Sequence, residues 1–391
     1  LWKRFGMHWL SAGRVQTPVL GWIIEKYEKW KKTRRLFVEY VLENGLSIRM
    51  NYEPHIDKKI IREYVKHGAL ILIKSSSVEE LHPPPPYNTN TLLYELSTRF
   101  GMDSRYAMKI LQQLFESGLI TYHRTDSVRV SKKGMEIARN YICDSLKAST
   151  SFKSRPWSAE GAHECIRPTR PIDVEALKKM ILTGTVKVHV NLSHNHYRVY
   201  DIIFRRFIAS QMTKATVEKT RLYVKIGENI AVVEFIPKII NEGFLKILPI
   251  KVHEEWRNIQ KGSLLKIVEY RTWKGSLEKL HRQGDLIKLM KEKNIGRPST
   301  YVKILSTLLK RGYVIESKNK YLIPTSIGKN VYSYLTTNFK PFVSEETTRK
   351  LEQRMEAVEK GIISYLDVLR ELYLELQQLL TIISIKEKAA A

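Results

Sequence analysis

From Leu36 to Met50 the chain alternates apolar and polar residues, and the alternation turns around Asn44-Gly45, a strong short signal for a β-hairpin. Leu222 to Phe235 repeats the pattern around Gly227-Glu228-Asn229. Between these blocks Pro83 to Pro86 can be neither helix nor central strand, so it reads as a stiff boundary. The two strand blocks predict one scaffold domain that the chain enters twice.

Helical spacing dominates elsewhere. Leu20 to Trp30 and Asp201 to Met212 carry apolar residues at helical intervals, as do Leu351, Met355, Val358, Leu366 and Leu369 within Glu345 to Ser384. Ala107 to Ile120 (AMKILQQLFESGLI) aligns with Tyr301 to Val314 (YVKILSTLLKRGYV) at a constant offset. In both copies an amphipathic helix ends at a glycine and an apolar strand start follows, the pattern of a helix-turn-helix entering a wing. Any amphipathic helix followed by glycine shares part of this pattern. Tyr122 falls where the first wing should begin; the second copy has Glu316 there, so it could bind but not repeat a tyrosine's chemistry.

Lys plus Arg number 66 against 40 Asp plus Glu, a net charge of +26 that attracts polyanions and favours a nucleic-acid partner. With 391 residues and 43% hydrophobic content, two or three domains with true cores are expected. No run approaches the roughly 18 apolar residues of a membrane span, and no signal-peptide core follows Leu1. Two cysteines, Cys143 and Cys165, support neither a disulfide framework nor a four-cysteine zinc site, so a cytoplasmic compartment is expected. A start at Leu and an end at Lys388-Ala389-Ala390-Ala391 read as a piece of something larger.

The chemistry concentrates at Thr121-Tyr122-His123-Arg124-Thr125-Asp126-Ser127. A phenol, with a pKa of about 10, needs neighbouring cations to attack a phosphodiester. Arg124 can supply a planar, permanently charged fork for phosphate oxygens. A packing or capping role for Tyr122 remains the alternative from residue chemistry alone.

Leu119 to Ser127 resembles the active-site motif of type IA DNA topoisomerases, which cut one strand through a 5′-phosphotyrosine. Ser11-Ala12-Gly13-Arg14-Val15-Gln16-Thr17-Pro18, Gly161-Ala162-His163-Glu164-Cys165-Ile166-Arg167-Pro168-Thr169 and Gly296-Arg297-Pro298-Ser299-Thr300-Tyr301 follow the family order. His123, Cys165 and Val19-Leu20-Gly21-Trp22 are similar to the branch formed by the reverse gyrases of hyperthermophiles.

The resemblance implies an α+β, multidomain fold: a toroidal type IA core with winged-helix-like modules and a β-rich arch. It divides the chain into residues 1–35 and 275–391 as a discontinuous DNA-binding domain, 36–87 and 204–274 as the arch, and 88–203 as the domain carrying the tyrosine. It implies catalytic roles for Tyr122, Arg124 and His163. DNA contacts are implied for Arg14, Gln16, Thr125, Asp126, Ser127, Arg297, Ser299 and Thr300, and for Arg167 either a phosphate contact or support of His163. Ser299 also reads as an N-cap, with Arg297 beside free backbone NH groups. Glu164 either orients His163 or is solvated.

The family's Mg²⁺ ligands belong to a Toprim domain, and neither its acidic pair nor a Gly-x-x-x-x-Gly-Lys-Ser/Thr ATP loop occurs here. No residue of this chain is therefore assigned to a metal. Mg²⁺, and ATP through a helicase-like module, are expected from other parts of the same polypeptide or a partner subunit. The expected substrate is single-stranded or underwound DNA, with no membrane involved. Two other classes remain: a non-catalytic single-strand-binding subunit, and a tyrosine recombinase or rolling-circle nuclease, for which His194-Asn195-His196 is a poor match.

Overall fold

The computed structural model describes residues 1–158 and 163–389. Gly161 and Ala162 of the histidine motif, and the last two alanines, lie outside the described residues. The strands are β1 (Arg34–Leu42), β2 (Ser47–Tyr52), β3 (Ala69–Leu81), β4 (Ala215–Ile226), β5 (Asn229–Asn241), β6 (Leu264–Leu265), β7 (Ile267–Ser276), β8 (Val314–Glu316) and β9 (Leu322–Pro324). The chain divides into a unit of Leu1–Ile24, Leu286–Glu316 and Ile323–Ala391, and a unit of Glu25–Asp285 and Ser317–Leu322.

In the Glu25–Asp285 unit, both hairpins read from sequence form. β1 and β2 pair antiparallel from Leu36↔Tyr52 to Val41↔Ser47. Gly45 takes the left-handed backbone (φ +78°), and Asn44 Oδ1 accepts from the Leu46 amide at 3.1 Å. β4 and β5 meet at Gly227 (φ +57°). Long-range pairings complete two sheets, ordered β2-β1-β7 and β5-β4-β3-β6.

The alternation then decides which face is buried. Leu36, Val38, Tyr40 and Leu42 from β1 join Ile48 and Met50 from β2 and Leu222, Val224 and Ile226 from β4 in one core. Each such aliphatic side chain stabilises the fold by about 1.5–3 kcal/mol relative to exposure. The buried Tyr40 and Tyr52 hydroxyls bond each other at 2.8 Å, and burial raises the pKa of both phenols, Tyr40 far above the usual tyrosine range.

Pro83 to Pro86 carries no regular element and delivers the chain from β3 to the helix Thr89–Phe100. That helix starts on a reciprocal cap: Asn88 Oδ1 accepts from Thr91 N, and Asn88 N donates to Thr91 Oγ1. It leads into Ser104–Glu116, whose Ile110, Leu111 and Leu114 are fully buried. The helix His194–Ser210 buries Val199, Ile203, Phe204 and Phe207, so its apolar spacing carries it through residue 204. The strands resume at Ala215, within the 204–274 segment expected to belong to the arch.

Both copies of the repeat are helices, Ser104–Glu116 and Tyr301–Lys310, and both glycines are left-handed (Gly118 φ +66°, Gly312 φ +70°). After the second copy, β8 pairs with β9. After the first, one bridge, Ile120↔Pro168, stands in place of a wing ladder. Residues 121–127 bond instead to other parts of the unit, so no second wing strand forms there.

In the other unit, Tyr313 Oη accepts from the Ser11 amide at 2.9 Å and donates to the Ser11 carbonyl at 2.8 Å, fixing the segment before the helix Gln16–Lys32. Lys293 bonds Glu345 at 2.8 Å and lies over the Trp22 ring at 5.0 Å. No described helix is long and apolar enough to cross a membrane.

A Cβ at residue 227 would stand 2.2 Å from a Tyr64 ring carbon. Gly227→Ala therefore combines left-handed strain with a clash and is expected to lower unfolding free energy by about 1–3 kcal/mol in urea titration. An unchanged midpoint and slope would show that the turn is free to relax.

Candidate active site

Residues 121–127 alternate in burial. Tyr122, Arg124 and Asp126 are exposed, while His123 and Thr125 are buried. The anchors are on the other side of the chain. Thr121 donates its amide to the Arg167 carbonyl at 2.9 Å and its hydroxyl to the Cys165 carbonyl at 2.7 Å. The Thr89 hydroxyl contacts the carbonyls of His123 (2.6 Å) and Thr125 (2.9 Å) and accepts from the Thr125 amide at 2.8 Å. Asn88 Nδ2 donates to the Asp126 carbonyl at 3.0 Å.

The result is a segment fastened at Thr121, His123 and Thr125 and at the Asp126 carbonyl, with the Tyr122, Arg124 and Asp126 side chains left exposed. Tyr122 is 46% exposed, with its ring edge-on to Phe115 at a centroid distance of 5.4 Å. A surface phenol with an exposed guanidinium two residues on can meet a phosphate without unfolding anything. Phe115 belongs to the helix Ser104–Glu116, so the repeat helix supports the tyrosine directly.

His123 is fully buried against Phe115 and Tyr122, and burial, aided by the Arg124 charge, pushes its pKa down to about 4. It is a neutral imidazole at neutral pH. Cys165 is also fully buried, its thiol pushed up to about 12, which leaves it protonated and unreactive.

The histidine motif divides in its roles. His163 is exposed, and its carbonyl accepts from Arg129 Nε at 3.4 Å. Glu164 does not orient it. Instead Glu164 Oε1 accepts from Arg167 Nε at 2.9 Å and from the Ser131 amide at 2.8 Å, while Oε2 accepts from Arg167 Nη2 at 2.8 Å. Burial alone would raise the Glu164 pKa, but these bonds outweigh it and hold the carboxyl below its usual range.

Arg167 was expected either to support His163 or to contact phosphate. The residue is 6% exposed, and Nη1, the remaining guanidinium nitrogen, donates to the Pro168 carbonyl at 3.0 Å. Its fork is committed within the protein. Gly134 makes room for it, since a Cβ there would lie 2.8 Å from Arg167 Nε. Thr125, also expected on DNA, is 3% exposed and accepts the Ser127 amide at 3.1 Å, so its side chain shapes the loop. Ser127 is half-buried, with Oγ accepting the Arg129 amide at 3.0 Å.

The remaining candidates lie in the other unit. Arg14 is 3.8 Å from Glu375 and 5.8 Å from the Phe342 centroid, and Gln16 opens the helix Gln16–Lys32 with Nε2 3.5 Å from the Ser11 carbonyl. Arg297 donates to Glu352 and Glu356, each at 3.0 Å, so it faces carboxylates rather than an open cradle. Ser299 is exposed and is not the N-cap; Thr300 holds that position. The Thr300 hydroxyl folds back onto the Arg297 amide and carbonyl, each at 3.0 Å, leaving the helix start without a side-chain cap.

Thr89, Asn88 and Thr121 were not singled out in the sequence. Asn88 and Thr91 three residues apart, directly after a proline run, form a capping signature that could have marked the start of the supporting helix. Nothing local marks Thr89 as a clamp, because its partners lie over 30 residues away.

A family model for DNA topoisomerase matches residues 1–370. The chain is 43% identical over 377 residues to the reverse gyrase of Pyrococcus furiosus, covering 96% of this chain and 30% of that protein. It is likewise 43% identical over 375 residues to reverse gyrase 1 of Aquifex aeolicus, covering 95% of this chain and 32% of that protein. The chain thus spans about a third of the length of the curated relatives it matches. Full-length topoisomerase I of Thermotoga maritima superposes with a TM-score of 0.72 at 28% identity, over 95% of this chain and 63% of that one.

If Arg167 is structural, Arg167→Met should leave the half-buried Glu164 carboxylate with only the Ser131 amide and cost about 1–3 kcal/mol of unfolding free energy. Chemical denaturation measures this. A variant as stable as wild type but weaker on DNA would restore the DNA-contact role.

Proposed function

We propose, for a chain that belongs to the type IA DNA topoisomerase family, that Tyr122 is the nucleophile that cuts single-stranded DNA. Its phenolic oxygen attacks a backbone phosphorus, the bond to the 3′ oxygen breaks, and a 5′-phosphotyrosine and a free 3′-hydroxyl result. The phenol loses a proton and the leaving oxygen gains one. Arg124 stabilises the charge that builds on the phosphate oxygens, and exposed His163 contacts DNA near the cut. After a second strand passes, the 3′-hydroxyl attacks the phosphotyrosine and reseals the nick. No ATP is needed for that step, because the phosphotyrosine bond conserves the energy of the one it replaced.

The observation that carries this reading is the anchored segment that leaves Tyr122 and Arg124 exposed while His123 and Thr125 are buried. The proposed division of labour follows the sequence expectation. Residues 1–35 and 275–391 hold single-stranded DNA through Arg14, Gln16, Arg297, Ser299 and Thr300. The strand-rich segments 36–87 and 204–274 form the arch, and 88–203 carry the tyrosine with Asp126 and Ser127 beside the strand. The charge of +26 supports a polyanionic substrate.

Among the described residues no three or more His, Cys, Asp or Glu side chains converge to hold a metal ion. The described residues do not fit an Mg²⁺ site. We assign Mg²⁺ to a Toprim part outside this chain, and ATP-driven positive supercoiling, the reverse gyrase reading, to a helicase-like part. The identities to reverse gyrases, over about a third of their length, support that branch. The proposed compartment is the cytoplasm.

The test is capture of a covalent adduct between this chain and end-labelled single-stranded DNA on a denaturing gel, with a Toprim-bearing part and Mg²⁺ supplied. Capture should vanish in Tyr122→Phe and slow by about 10²-fold in Arg124→Ala. Capture that survives Tyr122→Phe would overturn the assignment, and tight binding without capture would leave a non-catalytic single-strand-binding subunit.

A further inference from the structure

Buried polar atoms almost always find partners, and His123 does not. The residue is fully buried, and among the described residues neither Nδ1 nor Nε2 has a hydrogen-bond partner. Its ring lies 6.0 Å from Phe115 and 5.6 Å from Tyr122, centroid to centroid. An unmet buried donor or acceptor loses its hydration without gaining a bond, whereas a methionine would fill a similar space without that cost. Such a cost marks a group that another state of the protein can satisfy.

The two aromatic neighbours differ in what they can do. Phe115 is half-buried on the helix Ser104–Glu116. Tyr122 is 46% exposed on a loop held through residues on either side of it. Of the two, only the phenol is placed to swing away, and when it does it opens the imidazole to water. We infer that His123 is a positioning residue for Tyr122, whose unpaired imidazole disfavours the packed resting orientation of the phenol and so favours the outward one that attacks. This rests on the reading of Tyr122 as nucleophile. Burial keeps the imidazole neutral, so it offers one donor and one acceptor to water once uncovered, with Arg124 and Glu116 the charged groups acting on it.

The test has two readouts. Histidine-labelled NMR on this chain follows the His123 titration in wild type, Tyr122→Phe and Tyr122→Ala. The first two should titrate near 4, and Tyr122→Ala should move up toward the ordinary value of 6.5. A titration equally low in all three would show that Tyr122 does not cover the imidazole and would overturn the inference. The second readout is His123→Met, with melting of the chain and single-turnover adduct formation in the assembled enzyme. Melting temperature should rise while adduct formation slows roughly tenfold, the equivalent of one hydrogen bond. A fall in both would mean an ordinary structural residue and would overturn the inference, as would unchanged adduct formation. Absence of any adduct in wild type would remove the nucleophile reading on which the inference rests, and with it the positioning role, even where the titration shows that Tyr122 covers His123.

Discussion

One buried hydroxyl holds the candidate nucleophile's segment in place. Thr89 is fully buried, and its side chain engages both His123 and Thr125 backbones while its amide donates to the Thr125 carbonyl at 2.9 Å. A loop tied at alternate residues has little freedom to turn over, so what lies between the ties is forced outward. Tyr122 and Arg124 owe their exposure to that constraint rather than to any property of their own. Thr89 is in turn fixed because Asn88 caps its helix, and the rigid Pro83 to Pro86 run brings the chain to that cap.

Local signals were legible in the sequence wherever the deciding interaction is local. Asn44-Gly45 and Gly227 mark their turns because only certain residues accept left-handed backbone, and the two repeat helices end at glycines for the same reason. Arg124 two residues from Tyr122 is chemistry visible at short range, but residue chemistry alone left a packing or capping role open, and the resemblance of Leu119 to Ser127 to the family motif singled the tyrosine out. The fate of Arg167 could not be read in this way. A buried ion pair and a DNA contact use the same residue types, and only the approach of the Gly134 backbone and the Glu164 carboxylate distinguishes them. The first wing was expected from its helix, but the strand that would complete it is replaced by side-chain bonds to residues 89 and 165. Ser299 failed as a cap because a neighbouring threonine satisfies itself within its own turn.

The two units present their cations differently, which bears on how each would meet DNA. Arg297 is in contact with two carboxylates and Arg14 with one, so a phosphate held there, as proposed, would compete with protein partners. Such exchange is inexpensive at partly exposed pairs, whose net worth is about 0–1 kcal/mol, and it makes binding sensitive to salt. At the tyrosine segment the pair Arg167–Glu164 works in the opposite sense: the guanidinium is buried with each nitrogen bonded inside the protein, and it supports the strand of backbone to which Thr121 is bonded. Exchangeable ion pairs suit holding and releasing a strand, while a fixed one suits aligning a reaction.

The central claim is that anchoring by Thr89 is what makes Tyr122 competent. The most direct measurement is single-turnover adduct formation on single-stranded DNA by Thr89→Val in the assembled enzyme, with the folded state verified by melting. Valine keeps the shape and removes the hydroxyl's bonds to His123 and Thr125 while the Thr89 amide stays on the Thr125 carbonyl, so the rate of capture should fall by about tenfold while Tyr122 itself is intact. Capture at the wild-type rate by a folded Thr89→Val protein would contradict the account.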